Sequence, residues 1–243
     1  MATEKRLPTK EDFDSSWTLS ITPPPKNQKP TNVLLFFHGL GGSHEPFAQL
    51  GTQMNLPETA CISIRGPEPL PFEPDSFHYG DDVIFDNTIG SIDPDGGFKK
   101  QSPRIRQSII QRTLIQICAY KPREIFLFGF GQGGMLALDI AASTPTSELG
   151  GIISIGGALP SSTTPPANKI KTPVLVAHGI DSPWLAPQAT DQLKRVFESV
   201  TINKYRRQGD SMPQNRDEMM PVMRFFGSRL RSTAGVPEGS IEV

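Results

Sequence analysis

The sequence predicts an α/β protein with a mainly parallel, doubly wound sheet. Two observations carry that prediction. Short β-rich runs alternate with helical segments along the chain, the order that gives parallel strands joined by crossover helices. Several of those runs are continuously apolar rather than alternating, the pattern of strands covered on both faces. In such sheets the acting residues lie in loops beyond the strand C-termini, so those loops are where function is sought. The 243 residues allow one domain with a substantial core. It is expected over residues 13–231, with residues 1–12 and the tail 232–243 (STAGVPEGSIEV) lacking fixed structure.

Taken in order, a first strand is expected at 16–21 (SWTLSI) and a second at 33–37 (VLLFF), followed by a helix near 44–54. A strand at 60–65 (ACISIR) precedes residues 66–102, rich in Pro, Gly and Asp and nearly without period. That stretch reads as an excursion over the strand ends, a lid or pocket wall. A helix over 103–120 follows. Ile105, Ile109, Ile110, Leu114, Ile117 and Cys118 recur there at mixed three- and four-residue steps, and Pro122 closes it. Next come a strand at 125–128 (IFLF), a helix at 132–144, and strands at 152–156 (IISIG) and 173–177 (PVLVA). A helix at 187–199, a strand at 200–205 (VTINKY) and a helix at 215–231 complete the series.

The formal net charge is −1 and the Lys and Arg residues are scattered. Neither supplies the basic stripe that binds nucleic acid or an anionic membrane surface. No apolar run reaches the ~18–20 residues that span a bilayer. The first residues, MATEKRLPTKEDFD, lack the apolar centre of a signal peptide. Cys61 and Cys118 both sit in apolar contexts and read as two buried thiols rather than a disulfide or a metal pair. A cytoplasmic protein is expected, the nucleus being also compatible. No spacing of Asp, His or Cys suggests a metal site, and no cofactor is expected.

The informative stretch is IFLFGFGQGGMLAL, residues 125–138. An apolar strand runs into Gly129-Phe130-Gly131-Gln132-Gly133-Gly134, and helix formers follow. This is the strand–turn–helix of a nucleophile elbow, Gly-x-Ser-x-Gly, with Gly131 where the serine would stand. Four further landmarks accompany it in order: His38-Gly39-Leu40-Gly41-Gly42, Gly156-Gly157-Ala158-Leu159-Pro160, His178-Gly179-Ile180-Asp181-Ser182-Pro183, and Gly209-Asp210-Ser211 followed by Asp217-Glu218-Met219-Met220.

Together these motifs resemble the phospholipase/carboxylesterase family of α/β-hydrolases, which includes the acyl-protein thioesterases, over roughly residues 30–230. The resemblance implies an α/β-hydrolase fold and a Ser–His–Asp triad. Laid on this chain, the serine falls on Gly131, the aspartate on Ser182 and the histidine on Asp210. The oxyanion donors would be the backbone N–H groups of Leu40 and Gln132, which no side-chain change removes. His38 and His178 belong to the His-Gly motifs at strand ends and read as structural. His44, His78, Asp181 and Ser211 lie on loops that could border a pocket, as could His38.

Substitutes for the triad are poor. Ser182 and Ser211 flank the site but have no histidine to activate them, and Cys61 and Cys118 lie in regular elements. Three readings stay open. The chain is a non-catalytic hydrolase-fold protein binding an acyl- or ester-like ligand or an unidentified protein partner. Alternatively it is a weak carboxylesterase or thioesterase in which Asp210, if desolvated, activates a water in the space left at Gly131. Or it is a structural subunit with a collapsed pocket.

Overall fold

Residues 32–37, NVLLFF, have no helical period and are buried along their whole length. Such a run has the pattern of a strand inside a sheet covered on both sides. The computed structural model places it there. It describes residues 4–71, 73–87, 90–144, 147–233 and 235.

The main sheet has seven strands: β1 (Leu19–Thr22), β2 (Asn32–Phe37), β3 (Thr59–Ile64), β8 (Ile125–Phe130), β9 (Gly151–Ile155), β10 (Val174–His178) and β11 (Val200–Lys204). Their spatial order is β1-β3-β2-β8-β9-β10-β11. The β1–β3 pair is antiparallel and every other pair is parallel. Alternate residues divide the core between the two faces. Leu34, Phe36, Phe126, Phe128, Ile153 and Leu175 pack on one face with Phe47 of α1 (Glu45–Met54) and Val222 and Phe226 of α5 (Arg216–Arg229). Val33, Leu35, Phe37, Leu127, Ile152 and Val176 pack on the other with α3 (Gln132–Ala142), α4 (Pro187–Val196) and the segment after α2 (Gln101–Arg104).

Four expectations need correction. The first strand begins at Leu19, not residue 16, because Trp17 turns into the core and its Nε1 donates to Ser108 Oγ at 2.7 Å. The helix expected at 103–120 is α2 continued by a wider, π-helical stretch, Ile105–Ile117. Its buried apolar residues Ile105, Ile109, Ile110 and Leu114, with Cys118 just beyond it, include pairs four apart, a little longer than the 3.6-residue turn. The excursion 66–102 has regular structure, two antiparallel hairpins: β4 (Glu68–Leu70) with β5 (Glu73–His78), and β6 (Ile84–Asp86) with β7 (Ser91–Asp93). β4, β6 and β7 are three residues each, too short for alternation to register as a period. Last, residues 4–12 are held in place. Arg6 pairs with Asp12 at 2.5 Å, Lys5 reaches Glu124 at 2.6 Å, and Leu7 packs on the core. Residues 1–3 and most of the tail lie outside the described residues.

Ser232 and Thr233 of that tail are likewise tied down. Ser232 Oγ, Thr233 N and Thr233 Oγ1 donate to the Glu58 carboxylate at 2.6, 2.9 and 2.8 Å. Burial pulls the Glu58 pKa up, but the donors from Ser232, Thr31 and Thr233 outweigh it and hold the carboxyl at about 2. A folded-state pKa below the ordinary 4.5 gives stability that is complete above about pH 4.5 and is lost as the pH falls towards 2. Glu58→Gln is therefore expected to cost about 1–2 kcal/mol at pH 7. It should also flatten the fall in denaturation midpoint between pH 5 and pH 3, read by urea melts of both proteins.

Candidate functional site at the strand ends

The site is built where β2, β8, β9, β10 and β11 end. Gly131 stands between β8 and α3 with φ +50° and ψ −118°. Side-chain-bearing residues rarely take this conformation, and it persists only where the surroundings enforce it. Here they do: Gly131 N–H donates to Ile155 O at 2.8 Å, and its carbonyl accepts from Met135 N at 3.1 Å. A Cβ added at Gly131 would meet nothing nearer than Gly39 Cα at 3.9 Å. The turn therefore has an elbow's shape and open space at its tip. Gly133 is required for a different reason. A Cβ there would lie 2.3 Å from Phe37 O and 2.5 Å from His38 O, so only glycine lets α3 seat against the end of β2.

Gln132 is the first residue of α3, so its N–H has no carbonyl four residues back within the helix. Its side chain is 1% exposed. Oε1 accepts from Tyr79 N at 2.8 Å and Nε2 donates to Pro94 O at 3.0 Å. Those two bonds pin the 66–102 excursion to the elbow. The loop carrying Leu40 is closed by Gly42 N donating to Gly39 O at 3.0 Å, and Gly41 N donates to Phe77 O of β5 at 2.9 Å.

Ser182 and Asp210, distant in sequence, meet. Ser182 Oγ donates to Asp210 Oδ2 at 2.6 Å, and Gly179 N donates to Oδ1 at 2.9 Å. The Asp210 side chain lies along Gly156, where an added Cβ would be 2.7 Å from Asp210 Cβ. A Cβ on the next residue, Gly157, would be 2.5 Å from Gly131 O. Asp210 and Gly131 thus both lie against the Gly156-Gly157 backbone. The Asp210 loop is braced from behind. Arg207 Nε donates to Glu218 Oε1 at 2.8 Å, and its other nitrogens donate to Ser211 Oγ and to the carbonyls of Ser211 and Met212. Ser211 is thereby turned to Arg207. Asp181 is exposed, and its Oδ1 accepts from Gly209 N at 2.7 Å.

The histidines are not gathered at the elbow. His38 is 1% exposed, with Nδ1 at 2.7 Å from Gly39 O and Nε2 accepting from Gly66 N at 2.8 Å. Those partners require the tautomer protonated on Nδ1. Burial lowers the His38 pKa to about 4, so the ring is neutral near pH 7. His178 Nδ1 lies 2.7 Å from Gly179 O. His44 precedes α1, with Nδ1 at 3.2 Å from Glu45 Oε2. His78 lines a separate cleft of about 430 Å³ with Glu68, Asp81, Asp82, Lys100 and Gln101, to which Gly131 does not contribute. Cys61 and Cys118 are free and buried, and burial raises their thiols to about 12 and about 11. The thiolate is the reactive form, so neither is a nucleophile near neutrality.

The arrangement offers backbone donors, a hydroxyl paired with a carboxylate, and space at the elbow tip. Among the described residues, no three His, Cys, Asp or Glu gather as a metal site, and no helix is long and apolar enough to cross a membrane. Sequence reasoning did not find the Arg207–Glu218 brace or the clamp by the Gln132 side chain. Both join residues with no shared local pattern. The Gly156-Gly157 pair was visible as a landmark without its spacing role.

A family model described as Phospholipase/Carboxylesterase matches residues 22–228. An uncharacterized hydrolase of Schizosaccharomyces pombe is 38% identical over 148 residues, 59% of this chain and 60% of that one. The chain thus matches about 60% of that relative's length. Acyl-protein thioesterase 1 of Kluyveromyces lactis is 28% identical over 230 residues, 85% of this chain and 95% of that one. The solved structure of esterase PE8 superposes with a TM-score of 0.70 at 19% identity, covering 88% of this chain and 99% of that one, which is likeness of fold. With the elbow, the strand-end loops and the sheet order in agreement, this chain belongs to the phospholipase/carboxylesterase family of α/β-hydrolase-fold proteins.

Proposed function

We propose that this protein is a non-hydrolytic member of its family that binds an acyl-like ligand at the Gly131 elbow. The observation that carries the reading is the bare elbow tip. Gly131 holds the strained turn that would present a nucleophile, and it has no side chain to present. Ser182 and Asp210 fall, by resemblance, on the triad's acid and base positions. Their mutual hydrogen bond runs from hydroxyl to carboxylate, opposite in direction to the imidazole-to-aspartate bond that activates a serine. The backbone N–H groups of Leu40 and Gln132 are unaffected by these replacements and would still receive a carbonyl oxygen.

Attack by an Asp210-activated water is the second reading. Both carboxylate oxygens already accept a donor, from Ser182 Oγ and Gly179 N, so a water would have to bind at one of the lone-pair sites that remain. The test is turnover of p-nitrophenyl butyrate and of an acyl thioester, with melting temperature followed in parallel. No burst and a rate equal to buffer are expected, together with a rise in melting temperature on adding a non-hydrolysable acyl ligand. Steady turnover that vanishes in Asp210→Asn would establish the water mechanism instead.

A further inference from the structure

The cleft of about 430 Å³ that His78 lines has no part in the elbow site, since Gly131 does not contribute to it. Its walls come from the 66–102 excursion and the start of α2. His78 and Gln101 line it and are only 5% and 7% exposed. His78 Nδ1 and Gln101 Oε1 are nonetheless without a hydrogen-bond partner. An orphaned buried polar atom is destabilising, and a bound group that satisfies it is favoured. Burial holds the His78 pKa below its ordinary 6.5, although Glu68 pulls it up, so the ring is neutral near pH 7. With its proton on Nε2, Nδ1 is an acceptor, as Gln101 Oε1 is. The terminal torsions of histidine and glutamine are broad, so a ligand at the cleft wall can turn either atom towards itself.

The cleft is also acidic. Glu68, Asp81 and Asp82 line it with one cation, Lys100. Asp81 is committed, its oxygens accepting from Lys99 N at 2.7 Å and Lys100 N at 2.9 Å. Glu68 and Asp82 are exposed, and neither belongs to an ion pair among the described residues. An occupant suited to this cleft carries positive charge and donates hydrogen bonds. Among the described residues no three metal-binding side chains gather, which favours an organic cation. Val83 lines the cleft as well, and the next residues, Ile84 and Phe85, are 48% and 59% exposed. Apolar surface thus continues from its edge.

We propose that this cleft binds a primary alkylammonium group, which donates to His78 Nδ1 and Gln101 Oε1 beside the Glu68 and Asp82 carboxylates, with its alkyl chain along Val83, Ile84 and Phe85. An ammonium has three N–H donors and one positive charge. An anion would face two unpaired carboxylates, and an alcohol would leave them uncompensated. Such a group is carried by a free amine or by a lysine side chain.

Titrating hexylammonium into the full chain with isotope-labelled histidine is expected to shift the His78 ring resonances saturably in nuclear magnetic resonance. The chain has 4 histidines, and the His78 signal is the one lost in His78→Gln. Hexyltrimethylammonium keeps the charge without an N–H and should bind about tenfold more weakly. Hexanol and hexanoate should not saturate. Glu68→Gln with Asp82→Asn, both at exposed side chains, should weaken hexylammonium binding about tenfold. Asp82→Asn alone should weaken it about threefold and serves if the double variant does not melt cooperatively. Nα-acetyl-lysine methylamide identifies the source: a dissociation constant within about twofold of hexylammonium's assigns a lysine side chain, and weaker binding a free amine. Hexylammonium that leaves His78 unshifted, hexyltrimethylammonium that binds equally well, or binding unchanged in the carboxylate variants overturns the inference and leaves the elbow reading standing.

Discussion

Changing Gly131→Ser, Ser182→Asp and Asp210→His together is expected to raise p-nitrophenyl butyrate hydrolysis at least about 10²-fold over the parent, against a full triad's worth of about 10⁶. Gly131→Ser alone should change it less than about tenfold. The geometry favours the triple change. The Ser182 and Asp210 side chains already meet at 2.6 Å, so an aspartate and a histidine on the same backbone are directed at each other. The serine needs only the space that Gly131 leaves, with Gly39 Cα 3.9 Å from its Cβ. What it costs is backbone strain at φ +50°, on the order of 1–3 kcal/mol. A serine without its base remains a weak nucleophile, which is why the single change does little. A triple variant that melts cooperatively yet hydrolyses no faster than the parent would mean that the acyl site itself is closed, the expectation for a purely structural subunit.

Gly133→Ala should strongly destabilise the protein. Its Cβ would sit 2.3 Å from Phe37 O and 2.5 Å from His38 O, both backbone atoms at the end of the central strand, and neither can rotate away. Overpacking of this kind costs about 3 kcal/mol, which for a domain of this size is a fall of roughly 6–12 °C in melting temperature. A methyl group at Gly131, two residues away, meets no such atom and should cost less. Thermal melts of the two alanine variants side by side check the contrast; equal losses would mean that α3 does not seat on β2 as described.

Much of the fold was legible because its strands carry their burial in the sequence. β2 and β8 are short apolar runs rich in Val, Leu, Ile and Phe, the composition of strands buried on both faces. The elbow was legible because Gly129, Gly131, Gly133 and Gly134 answer backbone requirements at fixed spacing. The excursion 66–102 was not, since β4, β6 and β7 have three residues each, too few to show alternation. The order of residues 4–12 was also hidden, for it depends on Lys5 meeting Glu124, a partner 119 residues away. At the site, sequence alone paired the Ser182 and Asp210 positions by resemblance. It gave no sign that Asp210 would be held by Gly179 N and Ser182 Oγ, or that Arg207 and Glu218 would brace its loop. Those bonds cross between loops, and no local pattern encodes them.

The central claim is that the elbow of this family member carries no nucleophile and that none has been moved elsewhere. Intact-mass spectrometry after prolonged incubation of the full chain with a fluorophosphonate tests it most directly. The account predicts the unmodified mass, with the Gly131→Ser/Ser182→Asp/Asp210→His variant labelled once under the same conditions. Stoichiometric labelling of the unaltered protein, at Ser182 or at any other residue, would contradict it.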